Sequence, residues 1–479
     1  MDENFLLTTS AAQSLYHECA EALPVIDYHN HLNIRDLSEK RKFKNLTQLW
    51  LAGDPYKHRA MRICGVAEKY ITGEASEYEK FEAWMDSLPK LIGNPLYDWS
   101  VLEMKRVFGI SLIPGDTKSR DLWEETGKQL ASPEFTAPGL LKKFHVEYAS
   151  PCASLTENLE PFATLSAQEA LEERSAVIAP SLRGDTLTGI DRKTITELEQ
   201  IIHMTILTLE DFFCAIEKRL EAFEQAGCRF SDHALDNGFV YYKEDGKNEE
   251  RFRKLQRECS FSMEEKHSME EKHSMEEVLS PEDRGRLFSA VLRFLAASYA
   301  KRGWTMQLHI GAQRSTSTRL RRLAGPAGGF AGIGNGCDVQ SLTDMLDDFE
   351  KGKWGMPRII LFTLNPADNA VMSVLSGSYS QDGVSGKITQ GPAWWWCDHL
   401  YGMREVFENN SAFGVLSVFA GMTTDSRSFL SFVRHEYFRR ALCGWIGEKV
   451  EKGEMIASDR LLKNLVQDVC YKNAKKLVS

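Results

Sequence analysis

Short apolar runs rich in β-branched residues recur along the chain and are separated by segments with helical periodicity. The runs are residues 25–31, 146–150, 176–181, 228–233, 305–310, 358–364, 387–390 and 415–423. Between them, segments such as 289–302 and 426–450 place apolar residues at the spacing of one helical face. Strands that alternate with helices are typical of a parallel α/β protein, and eight strands predict a closed (β/α)8 barrel of the TIM type.

The interval 32–144 is too long for a single connection between a strand and the next helix. It contains helix-like stretches at 80–91 and 119–130, so we predict a helical insertion after strand one, close to the mouth of the barrel. The chain then divides into an amino-terminal segment with strand one (1–31), the helical insertion (32–144), the rest of the barrel (145–457) and a carboxy-terminal helix (458–479).

A short tandem repeat interrupts the second half of the chain. Residues 262–267 recur as 268–273, and the pattern begins again at Ser274. The two histidines of the repeat are compatible with metal binding. A charged, low-complexity segment is more typical of a solvated surface insertion, which we expect here.

The composition is that of an ordinary globular protein, with 43% hydrophobic residues, 26% charged residues and a formal net charge of −10. The negative charge disfavours a nucleic-acid partner. We expect neither a signal peptide nor a membrane partner, because the amino terminus is acidic and no apolar run approaches the ~20 residues of a membrane span. Ten scattered cysteines without a Cys-x-x-Cys pair predict reduced thiols in a cytoplasmic protein. The sequence contains no nucleotide-binding motif that would suggest another function.

Two histidines and one carboxylate mark a candidate metal site. His29 and His31, two positions apart at the end of strand one, should project to the same face. Asp425 follows strand eight, the neighbour of strand one in a closed barrel. Active sites of such barrels lie at the carboxyl ends of the strands, and imidazole with carboxylate suits a divalent metal such as zinc. Strand four ends without a lysine that could help to bridge two ions, so we predict one metal with open positions for water or substrate.

Other polar residues should face the same mouth. His309 ends strand five and could be a metal ligand, a proton relay, a substrate contact or a core residue. Asp232 and His233 are adjacent, so a regular strand turns only one of them inward; Asp232 is favoured and His233 is left open. Arg183 follows strand three and either binds a substrate carboxylate or lies on the surface.

Arg427 and a run of three tryptophans complete the candidate residues. Arg427, two positions after Asp425, could orient that carboxylate or lower the pKa of a neighbouring group. Trp394, Trp395 and Trp396 could wall a sugar pocket or pack in the core.

Ordered motifs over nearly the whole chain resemble those of the uronate isomerase (glucuronate isomerase) family of the amidohydrolase superfamily. They lie at residues 5–7, 27–31, 43–46, 53–62, 92–97, 231–236, 309–312, 364–366, 424–431 and 435–440. The resemblance implies a metal-dependent aldose–ketose isomerase that acts through an enediol. It implies hexuronate substrates, with D-glucuronate converted to D-fructuronate and D-galacturonate to D-tagaturonate, and it leaves a homo-oligomer open.

The resemblance also implies roles for individual residues. The family's metal ligands fall on His29, His31 and Asp425, with one divalent ion, zinc by preference, as the cofactor. Its other site positions fall on Tyr56, Arg183, Asp232, His309 and Arg427. Asp425 would exchange a hydroxyl proton, and Tyr56 would be the base at C2, which requires Arg427 or the metal to lower the pKa of the phenol. Because Tyr56 lies in the insertion, the insertion must fold back over the barrel mouth.

The chain departs from the family pattern at two strand ends and in one loop. Residues 149–153 replace a more acidic family segment after strand two, and residues 393–398 differ from the usual motif after strand seven. An aspartate that is usual near Gly332 is missing. These changes bear on efficiency and on substrate preference. Two alternatives to an active isomerase are a metal-dependent hydrolase of the same superfamily and a sugar-acid binding protein that has lost turnover through these changes.

Overall fold

Parallel strands form the frame of the protein in a computed structural model that describes residues 1–169, 176–188, 190–260 and 279–479. The strands are β1 (Val25–Asn30), β2 (Val146–Ser154), β3 (Val177–Ile178), β4 (Ser181–Arg183), β5 (Phe230–Leu235), β6 (Thr305–Ile310), β7 (Ala312–Gln313), β8 (Gly332–Ile333), β9 (Arg358–Thr363) and β10 (Ile388–Gln390). The tandem repeat lies outside the described residues, so its expected surface position stays a prediction.

The main sheet is curled, and its strands follow one another in the order β1, β2, β4, β5, β6, β9, β10. Each neighbouring pair on this path is parallel. β3 pairs with β2 outside the path, and β7 and β8 form a small antiparallel pair. The first seven predicted runs all contribute strands to this sheet, which confirms the parallel α/β barrel architecture.

The eighth predicted strand, residues 415–423, is wrong as a strand. Leu416–Val418 is a short 3-10 helix, and the rest of this described run joins no strand ladder. The apolar pattern of the run reflects burial in the core rather than a strand, because Phe419, Ala420 and Met422 are all buried.

Side chains replace the missing backbone ladder between this last segment and β1. The His29 amide donates to Thr423 Oγ1 at 2.8 Å, and the Thr424 amide donates to Asp27 Oδ1 at 2.7 Å. Backbone pairing begins just beyond, where the Asp425 amide donates to the His29 carbonyl at 3.0 Å. The last segment therefore still lies beside β1, as the barrel prediction requires.

The carboxylate of Asp27 is the centre of this junction. It is fully buried and accepts hydrogen bonds from Thr423 Oγ1 (3.0 Å), Thr424 Oγ1 (2.8 Å) and Asn30 Nδ2 (2.9 Å), with His435 Nε2 at 3.2 Å. Burial alone would raise the pKa of Asp27, but the hydrogen bond with His435 and those with Thr424 hold the pKa below its usual range. Asp27 is therefore a buried anion that joins the first strand to the last segment.

Asp27→Asn is expected to lower the free energy of unfolding by roughly 3 kcal/mol, because the variant keeps the size of the side chain but loses the charge that these buried donors stabilise. The folded-state pKa lies below the unfolded value of about 3.9, so this stabilisation is present above about pH 4 and is lost as the pH falls through the folded-state pKa. Urea denaturation at neutral and at acidic pH measures both effects. Equal midpoints for wild type and variant at neutral pH would contradict this role.

Helices cover the sheet and fill the long interval between β1 and β2. The α-helices are α1 (Ser10–Leu15), α2 (Ile34–Ser38), α3 (Pro55–Ile63), α4 (Glu77–Ser87), α5 (Pro95–Phe108), α6 (Ser119–Leu130), α7 (Ala137–Lys143), α8 (Glu160–Glu169), α9 (Asp185–Thr188), α10 (Arg192–Ile202), α11 (Leu209–Gln225), α12 (Asn248–Ser260), α13 (Pro281–Arg302), α14 (Thr318–Ala324), α15 (Val339–Glu350), α16 (Asn369–Ser378), α17 (Leu400–Ala412), α18 (Val433–Glu451), α19 (Asp459–Gln467) and α20 (Asn473–Val478). Helices α2 to α7 lie between β1 and β2. The division of the chain into the four segments 1–31, 32–144, 145–457 and 458–479 stays a prediction. None of the described helices is long and apolar enough to cross a membrane.

Apolar side chains of the strands form a core inside the curled sheet. Tyr28 of β1 stacks on Phe230 of β5 with ring centroids 5.8 Å apart, and Phe362 of β9 joins the same cluster. The final helix, α20, packs against this cluster through Ala474. Polar side chains gather at the opposite end, where the strands finish.

Candidate active site

The side chains of His29, His31 and Asp425 meet at the carboxyl ends of the strands. His29 Nε2 lies 3.3 Å from Asp425 Oδ1, and His31 Nε2 lies 3.0 Å from the same oxygen. The two imidazole rings meet edge to face with centroids 5.3 Å apart. His29 is buried, whereas His31 and Asp425 line an open cavity. The structure thus brings together the three residues that the sequence predicts as metal ligands.

Two tryptophans hold the Asp425 carboxylate in place. The indole N–H groups of Trp394 and Trp395 donate to Asp425 Oδ2 at 2.7 and 2.8 Å, which leaves Oδ1 to the histidines. Burial alone would raise the pKa of Asp425, but its hydrogen bonds with the histidines hold the pKa well below its usual range. Trp395 and Asp425 have φ angles of 50° and 45°, which non-glycine residues rarely adopt. This orienting role of the tryptophans is not predicted by the sequence pattern.

Cys152 is a site residue that sequence reasoning missed. Its Sγ lies 3.5 Å from His29 Nδ1 and donates to Asp232 Oδ1 at 3.2 Å. One ligand atom each from His29, His31 and Cys152 fall within 4.8 Å of one another. The available signal was its position, because Cys152 lies near the end of β2 and β2 is the neighbour of β1 in the sheet.

Asp232 and His233 of β5 point to opposite faces of the sheet. The carboxylate of Asp232 faces the site, with Oδ1 4.0 Å from His29 Nδ1, and burial raises its pKa. His233 turns outward to Tyr299 of α13, where Nε2 and the phenol oxygen are 3.0 Å apart, and burial lowers the pKa of His233 to about 4. The structure therefore places Asp232 in the site, as favoured, and His233 in the packing between sheet and helix.

His309 lies directly against the three candidate ligands. Its ring centroid is 4.7 Å from that of His29, and it stacks on Trp394 at 4.7 Å. Among the described residues, His309 Nε2 is buried and has no hydrogen-bond partner. Burial lowers the pKa of His309 well below its usual range, so the imidazole is neutral. A buried nitrogen without a partner beside the candidate ligands suits a hydrogen bond with a bound ligand.

A cavity of about 520 Å³ opens above these residues and is lined by arginines. The lining arginines are Arg59, Arg183, Arg314, Arg321 and Arg427. Arg183 is paired with Asp185 at 3.0 Å, and Arg314 is paired with Asp236 at 2.8 Å. This number of cations around one polar cavity favours an anionic ligand.

Arg59 and Arg427 are the lining arginines best placed to take a new anion. Arg59 stacks on the ring of Trp396 at 3.7 Å. Arg427 lines the cavity near Asp425, yet within the described part of the chain it forms no ion pair with that carboxylate. The two indole donors hold that carboxylate instead. The alternative role expected for Arg427 has support, because burial lowers the pKa of His31 and the charge of Arg427 adds to this effect.

Tyr56 lies at the start of α3 and lines the cavity, so the region between β1 and β2 does fold over the mouth. The guanidinium groups of Arg434 and Arg59 lie 4.9 and 5.0 Å from its ring centroid. Burial nevertheless raises the pKa of Tyr56 above its usual value, and Asp425 adds to this effect. Arg427 is not among the groups that shift this pKa, and the phenol is neutral in this structure. The expected lowering by a bound metal stays a prediction.

A buried network of charges fixes the helix that carries Tyr56. Asp54 caps α3 by accepting from the amide groups of Tyr56 (2.9 Å) and Lys57 (3.2 Å). The ammonium group of Lys57 lies 2.9 Å from Asp54 Oδ2 and 3.4 Å from Glu103 Oε2. Burial would raise the pKa of Asp54, but Lys57 and Arg434 lower it to about 2. This network holds the start of α3, and so Tyr56, at the cavity wall.

Known proteins match this chain over nearly its full length. The glucuronate isomerase family matches residues 1–478. The uronate isomerase of Caldanaerobacter subterraneus subsp. tengcongensis is 39% identical over 99% of this chain and 98% of its own length. The uronate isomerase of Bacillus licheniformis is 39% identical over 99% of this chain and 96% of its own.

Solved structures agree as well. The uronate isomerase of Thermotoga maritima superposes with a TM-score of 0.88 at 30% identity and covers 100% of this chain and 99% of its own. The glucuronate isomerase of Caulobacter crescentus, at 21% identity, shows the same fold with a TM-score of 0.86 over 100% of this chain and 96% of its own. The full-length match in sequence and fold shows that this chain is an isomerase that belongs to the uronate isomerase family.

Proposed function

We propose that the protein is a metal-dependent aldose–ketose isomerase of hexuronates. It interconverts D-glucuronate with D-fructuronate and D-galacturonate with D-tagaturonate. One observation carries this proposal: His31 and Asp425, two members of a candidate metal triad, line the same cavity as five arginines and Tyr56. A hexuronate brings a carboxylate for the arginines and hydroxyl groups for the polar floor.

The residues present fit one divalent cation. His29, His31 and Asp425 supply two imidazole nitrogens and one carboxylate. The distances from each histidine Nε2 to Asp425 Oδ1, 3.3 and 3.0 Å, resemble the roughly 3.3 Å between two ligand atoms on a tetrahedral zinc ion. We propose zinc as that ion. When bound, it would polarise substrate oxygens and make a substrate hydroxyl easier to deprotonate.

The arginines are proposed to recognise the substrate carboxylate. Arg59 and Arg427 are not paired with an acidic side chain among the described residues, whereas Arg183 already contacts Asp185. Arg183 is proposed to keep this contact while its remaining N–H groups turn to the substrate, since a guanidinium offers five donors. Asp232 and the free nitrogen of His309 are proposed to bind sugar hydroxyls.

Proton transfer is proposed to involve Asp425 and Tyr56. Asp425 accepts a hydroxyl proton when the sugar ring opens and returns it later in the reaction. Tyr56 carries the proton that moves from C2 to C1 through the enediol. Because its phenol is neutral in this structure, it must first pass its own proton to water in the open cavity that it lines, and the guanidinium groups of Arg59 and Arg434 against its ring favour the phenolate that results.

Zinc-loaded protein incubated with D-glucuronate or D-galacturonate in D2O is expected to produce the corresponding ketose, observed by NMR, with solvent deuterium in the product. Deuterium enters because a C–H proton passes through a group that exchanges with water. A control reaction contains the same protein after removal of metal by a chelator. Folded, zinc-loaded protein that converts neither uronate at millimolar substrate would overturn the proposal, and binding without turnover would favour a binding protein.

A further inference from the structure

The three adjacent tryptophans use their indole N–H groups in two different ways. Those of Trp394 and Trp395 donate to the carboxylate of Asp425. That of Trp396 donates instead to the carbonyl oxygen of Ala331 at 2.8 Å. Trp396 is partly buried and is not one of the described residues that line the cavity. Any effect of Trp396 on a bound ligand therefore acts through the residues that it contacts.

The acceptor of this bond belongs to a wall segment, residues 325–331, which joins α14 to β8 and lines part of the cavity. Arg62 of α3 donates to the carbonyl oxygen of Gly328 in this segment. Gly329 approaches the start of α3 so closely that a Cβ atom there would lie 2.3 Å from the carbonyl oxygen of Pro55. The wall segment is therefore held both by α3 and by the tryptophan.

The ring of Trp396 also supports Arg59 of α3. The guanidinium carbon of Arg59 lies 3.7 Å from the ring centroid, and indole is the aromatic group that attracts a cation most strongly. The hydrogen bond to the wall segment fixes the orientation of the indole, and the indole face in turn fixes the plane of the guanidinium group. Arg59 lines the cavity, so this contact sets the direction in which its N–H groups meet a ligand.

We propose that Trp396 is a positioning residue that orients Arg59 toward the substrate carboxylate. This inference rests on the proposed function, in which Arg59 is one of the arginines that recognise the carboxylate. An arginine that is already oriented loses less conformational freedom when the substrate binds, so the contact strengthens binding without a direct contact between Trp396 and the substrate. Its effect falls on KM rather than on kcat.

Trp396→Phe keeps an aromatic ring and removes the indole N–H group. KM for D-glucuronate is expected to rise roughly 2- to 10-fold, the usual cost of one hydrogen bond. kcat should stay within about twofold of wild type, because Asp425 and Tyr56 are unchanged. The matched control is Trp354→Phe, since Trp354 is 53% exposed, lies between α15 and β9 and is not among the residues that line the cavity. Its KM and kcat should equal those of wild type.

A double-mutant cycle separates positioning from a general structural role. Arg59→Gln should raise KM roughly 10- to 100-fold, because a hydrogen bond from a charged group is lost. In the Arg59→Gln background, Trp396→Phe should change KM by less than about twofold, since the indole no longer has an arginine to orient. A merely structural role of Trp396 would give the same factor in both backgrounds.

Each result decides the inference. Unchanged KM in folded Trp396→Phe, or equal factors in the two backgrounds, overturns it and leaves the proposed isomerase intact. If Trp396→Phe does not fold, Arg59→Lys decides, because lysine keeps the charge but lacks the flat group that the indole orients. A raised KM in Arg59→Lys supports the inference, and a normal KM overturns it. Wild-type protein that does not convert D-glucuronate overturns both the inference and the proposed function.

Discussion

Asp425→Asn is expected to lower kcat for D-glucuronate by at least roughly 100-fold and to weaken zinc binding. The substitution keeps the size of the side chain but removes the negative charge that faces both histidines. Loss of a group that only supports a metal ligand already costs about 10- to 100-fold in affinity or activity, so loss of a direct ligand should cost at least as much, and loss of a proton acceptor adds a further factor of about 100. The measurement is kcat together with zinc content by elemental analysis after dialysis.

The matched control for this variant is Asp459→Asn, at the start of α19. The side chain of Asp459 is 73% exposed and, among the described residues, forms an ion pair only with Lys463 on the surface, so zinc content and kcat should not change. An Asp425→Asn enzyme with a full complement of zinc and near-normal kcat would remove Asp425 both as ligand and as proton acceptor.

Tyr56→Phe is expected to lower kcat by roughly 100- to 10,000-fold, the usual range for loss of a general acid or base. KM should change only a few-fold, because phenylalanine keeps the ring that packs between Arg59 and Arg434. The measurement is kcat and KM for both uronates at saturating zinc.

The control for Tyr56 is Tyr401→Phe, since Tyr401 is 69% exposed and lies on α17 away from the cavity lining. Its kinetic constants should match those of wild type. If Tyr56→Phe raised KM but left kcat unchanged, Tyr56 would be a binding residue and the proton transfer between C2 and C1 would need another group.

Most of the sheet could be predicted because its strands coincide with short apolar runs in the sequence. Seven of the runs are strands in the structure, because the strands of a parallel sheet are buried on both faces and therefore consist mainly of apolar residues. The run at 415–423 failed because the same apolar pattern also describes a buried irregular segment. There, Thr423 and the carboxylate of Asp27 provide hydrogen bonds that a ladder would otherwise supply.

The site could be predicted where it depended on strand ends and not where it depended on loops. His29, His31 and Asp425 followed from the expectation that the final segment lies beside the first strand, and Cys152 could have followed from the position of β2. The indole donors to Asp425 could not, because they require a left-handed backbone at Trp395. The pKa direction of Tyr56 could not either, because it follows from burial at the cavity wall and from Asp425, which is contributed by the other end of the chain.

The junction at Asp27 also determines when the site can come into existence. Asp27, His29 and His31 are made within the first tenth of the chain, whereas Thr423, Thr424 and Asp425 are made only in the last part. During synthesis from the amino terminus, the two histidines lie at the edge of an incomplete sheet until the final segment leaves the ribosome. A nascent or truncated chain therefore presents two histidines without the carboxylate of Asp425, and the proposed cation can meet all three of its expected ligands only after both ends of the chain have come together.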